Sequence, residues 1–324
     1  MKVLVCGGAG YIGSHMVREL LESGMDVVVY DDLSTGHRQA LADVELVEAN
    51  IADADALMRT FAQHRFDAVL HFAAKSLVGE SVTLPLHYYA NNVAGSLNLL
   101  QCMQRAEVGK IVFSSTAAVY GVPAVATIDE ATATAPINPY GTSKLMVERM
   151  LADAAVASGL RSVTLRYFNA SGAHPAGGVG ESHSPETHLI PNVLRSVLGS
   201  GPALKVFGND YPTPDGTCIR DYVHVSDLCA AHLSALNYMQ SVDGAEVFNL
   251  GSNDGFSVKQ VIEMAERVTG SSIPYQIEPR RAGDPAMLVA SSQRARSLLG
   301  WKPRYTDLET IISTAWRWHR NQPY

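Results

Sequence analysis

Tyr140 and Lys144 stand four residues apart in NPYGTSKLMVE, Asn138 to Glu148, a stretch with the pattern of a helix start. Residues at that spacing share one helix face, so a phenol and an ammonium would lie side by side. Upstream, KIVFSST ends in three hydroxyls, Ser114, Ser115 and Thr116, at the end of a β-rich apolar run. A phenol, an ammonium and a hydroxyl donor together suit oxidation of an alcohol. Tyr140 would take the proton, Thr116 would hold the alcohol oxygen, and Lys144 would tune the phenol. A free phenol titrates near 10, so service near neutrality needs a fall of roughly 3 units, about 4 kcal/mol. A positive charge nearby in a low dielectric acts in that direction. The spacing alone also fits an ordinary pair on a helix surface, and Thr116 could simply bond its own turn.

Oxidation of an alcohol needs a hydride acceptor. VCGGAGYIGSH sets Gly7, Gly10 and Gly13 between the β-rich run KVLVC and the helical pattern YIGSHMVRELLESG. Glycines allow a tight turn and close approach of a pyrophosphate, which the free N–H groups and dipole of a helix start favour. The GxxGxxG spacing, rather than GxGxxG, points to a variant of the dinucleotide fold. A turn built only for helix–strand packing is the alternative. Asp31 closes the next strand pattern, DVVVYDD, at about the 20-residue distance where a carboxylate meets the adenosine ribose. It would accept from both ribose hydroxyls and repel a 2′-phosphate, which predicts NAD rather than NADP. Asp32 is read as a support for the turn LSTGHR, with Arg38 within reach.

The elements that must position these groups alternate. ADADALMRTFAQH reads as a helix and FDAVLHFAA as a strand. PLHYYANNVAGSLNLLQCMQRA reads as one long helix, KIVFSST as a strand, Tyr140 to about Ser158 as a helix, and SVTLRYFN as a strand. This alternation predicts an α/β fold, a Rossmann-type doubly wound parallel sheet covered on both faces. Beyond Asn169 the texture changes to Gly-, Pro- and His-rich loops and shorter elements. The expected division is an NAD-binding domain over 1–169 and a smaller α/β substrate-binding domain over 170–324, with segments near 222–250 crossing back. Ligands of such sheets bind at the carboxyl ends of the strands, so the cleft between the halves is the expected site.

The 324 residues are 47% hydrophobic, enough for a large core, and the net charge of −7 with no long basic run argues against a nucleic-acid surface. Cys6, Cys102, Cys218 and Cys229 are scattered without CxxC, which predicts reduced thiols and a cytoplasmic protein. The first strand pattern begins at Lys2, leaving no room for a leader, and no apolar run approaches the ~20 residues of a membrane span. The 11 histidines, among them His183 and His188, show no spacing such as HExxH, so no metal is expected. His71 and Phe72 read as packing beside the cofactor.

GGAGYIG, DD at 31–32, HFAA, NN at 91–92, SST at 114–116 and YGTSK together resemble the extended short-chain dehydrogenase/reductases. The longer runs HFAAKSLVGESV, PYGTSKLMVE, LRYFNASGAHP, VFGNDYPTPDGTCIRDYVHVSDL, NLG and RRAGDP resemble the branch of that family that epimerises UDP-hexoses at C4. The resemblance runs from Lys2 to about Trp318. It implies interconversion of UDP-glucose and UDP-galactose: oxidation at C4, rotation of a flat 4-keto sugar about its link to UDP, and return of the hydride to the other face. Tyr140 would be the base, with Lys144 and Thr116 assisting. The cofactor site it implies takes in Gly7, Gly10, Tyr11, Ile12, Gly13, Asp31, Asp32, Leu33, Ser34, Thr35, Gly36, Asn50, Ile51, Phe72, Ala73, Ala74, Lys75, Asn91, Ser114, Ser115, Tyr140, Lys144 and Phe168, with Lys144 on the nicotinamide ribose hydroxyls. Its UDP-hexose site takes in Ser76, Thr116, Tyr140, Asn169, His188, Leu189, Lys205, Val206, Phe207, Arg220, Arg281, Asp284 and Leu288. Arg220 and Arg281 would meet the pyrophosphate, a use that suits the planar guanidinium fork, and Asp284 the uridine ribose. A homodimer through the helices near 86–106 and 140–158 is also implied, using Leu97, Leu100, Met103, Met146 and Met150.

Several positions depart from the family pattern. Cys6 replaces a common Thr, Asn50 an Asp near the adenine, and Lys75 sits one place before a Lys of some relatives. Thr116 stands where Ser also occurs. Leu288 occupies a position where bulky Tyr excludes N-acetylated hexoses and a small residue admits them, which predicts a UDP-glucose/UDP-galactose preference with weak UDP-GlcNAc turnover. Nucleotide-sugar 4,6-dehydratases carry Asp-Glu directly after the active-site Thr, and UDP-glucuronate decarboxylases a Glu in that stretch. Here the residues are Ala117 and Ala118, which leaves C4 redox without elimination. An epimerase of UDP-GlcNAc or UDP-pentoses is the nearer alternative, and a non-catalytic NAD-binding sensor the remoter one.

Overall fold

In the computed structural model, which describes residues 1–41, 43–125, 127–201, 203–281 and 284–324, the first apolar run is β1 (Lys2–Cys6), followed by α1 (Tyr11–Glu22) and β2 (Asp26–Asp31). Then come β3 (Glu45–Glu48), α2 (Ala54–Gln63), β4 (Ala68–His71), α3 (Gly95–Arg105), β5 (Lys110–Ser114), α4 (Pro139–Ser158) and β6 (Arg161–Tyr167). After α5 (Leu189–Val197) and α6 (Val225–Tyr238), β7 (Ala245–Leu250) pairs with β6. Among the described residues the sheet has seven strands, β7-β6-β5-β4-β1-β2-β3, all parallel.

Strand alternation explains why the runs are apolar throughout. Val3 and Val5 face one core with Met16, Val17 and Leu20 of α1 and Leu228 of α6. Leu4 and Cys6 face the other, with Leu57 of α2, Leu99 of α3 and Val147 of α4. Along β2 and β5, buried on both faces, polar residues fall only at the ends, and those ends are where Asp31 and Ser114 stand. A third core lies beyond the sheet, where α5 packs with α7 (Val258–Thr269) and α8 (Leu308–Arg320).

The long helix expected over PLHYYANNVAGSLNLLQCMQRA is present as one continuous helical run from Pro85 to Arg105, with a wider turn inside it. Pro85–Tyr88 is a short helical turn, Tyr89–Ala94 is a π-helical turn, and α3 begins at Gly95. Asn92 supplies the reason. Its buried side chain accepts from Lys75 N (2.8 Å) and donates to Lys75 O and Ser143 Oγ (3.0 Å each), clamping β4's outgoing loop to α4. A wider turn turns that side chain inward, a common use of π-turns near functional sites. Gly95 lets the helix approach Ile51, whose Cγ1 would lie 2.7 Å from any Cβ there.

Candidate active site

The glycine loop is shaped for a ligand rather than merely for packing. Gly7 has φ +80°, and a Cβ on it would stand 2.4 Å from Ala73 N. A Cβ on Gly13 would stand 2.0 Å from Gly7 O. Those two glycines close the turn, whereas Gly10 meets nothing nearer than 3.5 Å and faces open space. Gly10 caps α1 with no side-chain acceptor and no acid in the first turn, so the helix start keeps donors and dipole for an anion. Asp31 is anchored by Ala9 N and Leu33 N (2.9 Å each), which fixes its carboxylate against the loop and leaves lone pairs for hydroxyl donors. Its pKa is raised by burial, with the two backbone N–H groups opposing. Asp32 accepts from Ser34 N (2.9 Å) and from Asn50 Nδ2. Asn50 in place of an acid therefore removes a like charge from Asp32. Arg38 pairs with Glu48 at the surface. These residues fit a dinucleotide with a free ribose 2′-hydroxyl.

The reactive groups meet at the carboxyl edge of β5. Asn138 caps α4 by accepting from Gly141 N (2.8 Å), and Pro139 opens the first turn. Gly141 lies so close to the turn after β5 that a Cβ would be 2.5 Å from Ala118 O. This contact, with Ser143 bonded to Asn92, sets Tyr140 beside Thr116. Thr116 Oγ1 accepts from Ala118 N (3.1 Å), so its own proton remains to be donated. Burial raises the Tyr140 phenol above its ordinary value, and the Thr116 hydroxyl partly offsets this. Lys144 is 3% exposed, donates to Ser114 O (2.7 Å) and lies 4.8 Å above the Phe113 ring. Burial lowers its pKa to about 7, with Glu148 opposing. His71 is buried and bonded to Ser96, and burial, then Lys144, pushes it down to about 3, so it stays neutral.

One cleft of about 710 Å3 collects most of the expected residues: the glycine loop with Tyr11 and Ile12, then Asp31, Asp32, Ser34, Thr35, Asn50, Ile51, Phe72 to Ser76, Asn91, Ser114, Thr116, Tyr140, Lys144, Phe168, Asn169, His188, Arg220, Arg281, Asp284 and Leu288. Seven stand off its wall. Leu33 (φ +57°) serves the Asp31 turn, and Gly36 is pressed on Ala9. Ser115 is turned the other way, to Glu148. Leu189 packs on the third core, and Val206 is 2% exposed within it. Lys205 pairs outside with Glu278 (2.9 Å). Phe207 carries the Arg281 guanidinium 4.0 Å above its ring, a support for a cleft residue rather than a cleft residue. Arg220 is bonded to Asp284, the acid expected on the ribose, so the two hold each other in the cleft wall. Of the expected dimer residues, Met103 is core, while Leu97 and Met146 are exposed.

Sequence reasoning missed Tyr167, whose hydroxyl bonds Ser114, and Asn92, although NN at 91–92 was a visible signal. It also missed Glu181 and His183, which line the cleft with His188 and form a group with Glu186. Burial would lower both imidazoles, but the two carboxylates raise His183 to about 9 and His188 to about 10.

The fold and site are those of a Rossmann-type enzyme, and the chain belongs to the NAD dependent epimerase/dehydratase family, matched over residues 3–251. A UDP-glucose 4-epimerase of Halalkalibacterium halodurans is 52% identical over all of this chain and 97% of its own length. The UDP-glucose 4-epimerase from Brucella ovis, solved with NAD, is 48% identical with a TM-score of 0.95 over 98% of this chain and 97% of that one. That from Bifidobacterium longum, solved with NAD+ and UDP, is 40% identical with a TM-score of 0.95 over 100% and 99%.

Proposed function

We propose that this chain interconverts UDP-glucose and UDP-galactose through a transient 4-keto sugar. Bound NAD supplies the hydride acceptor and donor for C4. Tyr140 accepts the C4 hydroxyl proton and returns it, Thr116 donates to the same oxygen, and Lys144 supplies positive charge at the sheet edge. Arg220 and Arg281 hold the pyrophosphate of UDP, a grip that leaves the hexose free to turn. Residues 1–169 with the returning strand β7 serve the cofactor, and the rest serve the nucleotide sugar.

One observation carries this reading against its neighbours. Ala117 and Ala118, which line the cleft directly after Thr116, bring no carboxylate to the sugar. The base and donor are therefore present without an acid for elimination. Leu288 lines the cleft and packs with Val119, Tyr120, Ile128 and Phe168, a half-buried wall of intermediate bulk. It supports a preference for hexoses without the N-acetyl group.

The test is to incubate the purified protein with UDP-galactose or UDP-GlcNAc, without added NAD, and to resolve the epimers. UDP-glucose should form, with kcat/KM above that for UDP-GlcNAc. Equal or better use of UDP-GlcNAc would remove the preference, and tightly held NAD with no turnover of any UDP-sugar would favour the sensor.

Exposed Leu86, Leu97 and Met146 support a homodimer through the helices near 86–106 and α4. Sedimentation should then give twice the chain mass, reduced to one by Leu97→Glu with Met146→Glu; a monomeric wild type at micromolar concentration would refute it. No helix of the described residues is long and apolar enough to cross a membrane. The four buried free thiols support a reducing, cytoplasmic setting.

A further inference from the structure

Four side chains converge in the cleft wall opposite Tyr11 without a role in the chemistry above. Glu181, His183, Glu186 and His188 bring one ligand-type atom each to within 4.8 Å of one another. Glu181 Oε1 lies 2.8 Å from His188 Nδ1 and 3.3 Å from His183 Nδ1, and Glu186 Oε2 lies 3.6 Å from His183 Nδ1. Despite these separations, Glu181 Oε1 and His183 Nδ1 are buried with no aligned hydrogen bond, and Glu181 is only 4% exposed. Glu181 Oε1 is thus shared between two imidazoles at ion-pair distance, and the incomplete hydrogen bonding of these buried atoms is what a bound ion would satisfy.

We propose that this group is a binding site for a divalent transition cation of the zinc class. With the ion displacing the protons of His183 and His188 to solvent, two imidazole nitrogens and two carboxylate oxygens form a donor set that zinc accepts, and the carboxylates balance its charge. Bonds of about 2.0–2.2 Å to a tetrahedral ion put donors roughly 3.3–3.5 Å apart, within the spread seen here.

The surroundings are built for it. Trp318 Nε1 holds Glu181 O (2.8 Å), and Gly180 lies flat on the same indole, where a Cβ would be 2.2 Å from the ring. Ser182 is tied to His37 through its carbonyl (3.1 Å) and to the Tyr324 carbonyl through its hydroxyl (3.2 Å). Glu186 Oε1 is occupied by the backbone N–H groups of Thr187 and His188 (2.8 Å each) and also meets His188 Nδ1 (3.0 Å), a contact the ion would replace, which leaves Oε2 as the ligand atom. Backbone anchoring of this kind orients ligands before a metal arrives. His183 also meets the Tyr11 ring edge-on at 6.1 Å, so the ion would fasten the 181–188 segment next to the start of α1.

The test uses the full-length protein treated with a chelator and titrated with Co2+. A saturable visible absorption typical of tetrahedral cobalt should appear at one ion per chain and be bleached by Zn2+. His183→Ala and Glu186→Gln should each weaken binding by at least about tenfold, with circular dichroism showing intact folding. Glu186→Gln gives the same reading if His183→Ala fails to fold. The proposal fails if no saturable band appears, or if both variants bind cobalt as the wild type does, which would place the metal on other histidines.

Discussion

Tyr140→Phe should lower kcat by about 1,000-fold while leaving NAD bound in normal amount. A positioned general base contributes about 10²–10⁴ in rate, and phenylalanine keeps the ring while removing the phenol that meets Thr116. The glycine turn and Asp31, expected to carry most of the cofactor's grip, are untouched by this change, so retention of NAD separates lost chemistry from lost binding. The variant is to be assayed for turnover of UDP-galactose and for NAD released on denaturation. A variant that kept most of its kcat would move the base to another residue, and loss of NAD would make the result a binding defect.

Burial and Lys144 set how that phenol must work. Burial pushes Tyr140 up, away from the value a base needs. Lys144 points its ammonium at Ser114 O, and its own pKa is lowered to about 7. A positive charge brought to about 4 Å at an effective dielectric near 20 is worth about 4 kcal/mol, or about 3 pKa units. That matches the fall needed from a free phenol's value near 10, and the upward push of burial adds to it, so Lys144 and a cofactor charge must act together.

The parts of this machinery visible in sequence are those written in short local code. The glycine turn, Asp31 at the strand end, and the Asn138-Pro139 helix start each depend on residues within a few positions of one another. The parts that were not visible depend on distant partners. Tyr120 meets Asn249 across 129 positions, and Arg166 meets Tyr120 across 46. Strand alternation also defeated a segment-wise reading of Lys205 to Phe207. Once Val206 enters the core, its neighbours must point outward, so Lys205 meets Glu278 and Phe207 carries Arg281. The 181–188 group escaped because its four ligand atoms come together through a folded loop rather than through helical spacing.

Glu148→Gln should be the most destabilising single change near the site and should also alter the pH profile. Glu148, one helical turn beyond Lys144, is 7% exposed and accepts from Arg166 Nε (3.0 and 3.2 Å to its two oxygens) and from Ser115 Oγ. Arg166 passes the network to Tyr120 (2.9 Å), and Tyr120 to Asn249 (2.7 Å), joining α4 to β6 and β7. Removing one member of a buried pair leaves the other charge without compensation, at a cost of about 3–5 kcal/mol. The expected readout is a melting temperature lower by on the order of 5–10 °C. The second effect has a definite sign. Burial lowers Lys144 and Glu148 opposes that, so loss of its negative charge lowers Lys144 further, below about 7. Less ammonium then remains at neutral pH, and the alkaline limb of kcat/KM should move to lower pH. Pairing the change with Arg166→Met tests the division of labour. The double variant should recover much of the stability, because no lone guanidinium remains buried, but it should keep the shifted pH limb. A double variant with the wild-type profile would show that Glu148 acts on the site only through packing.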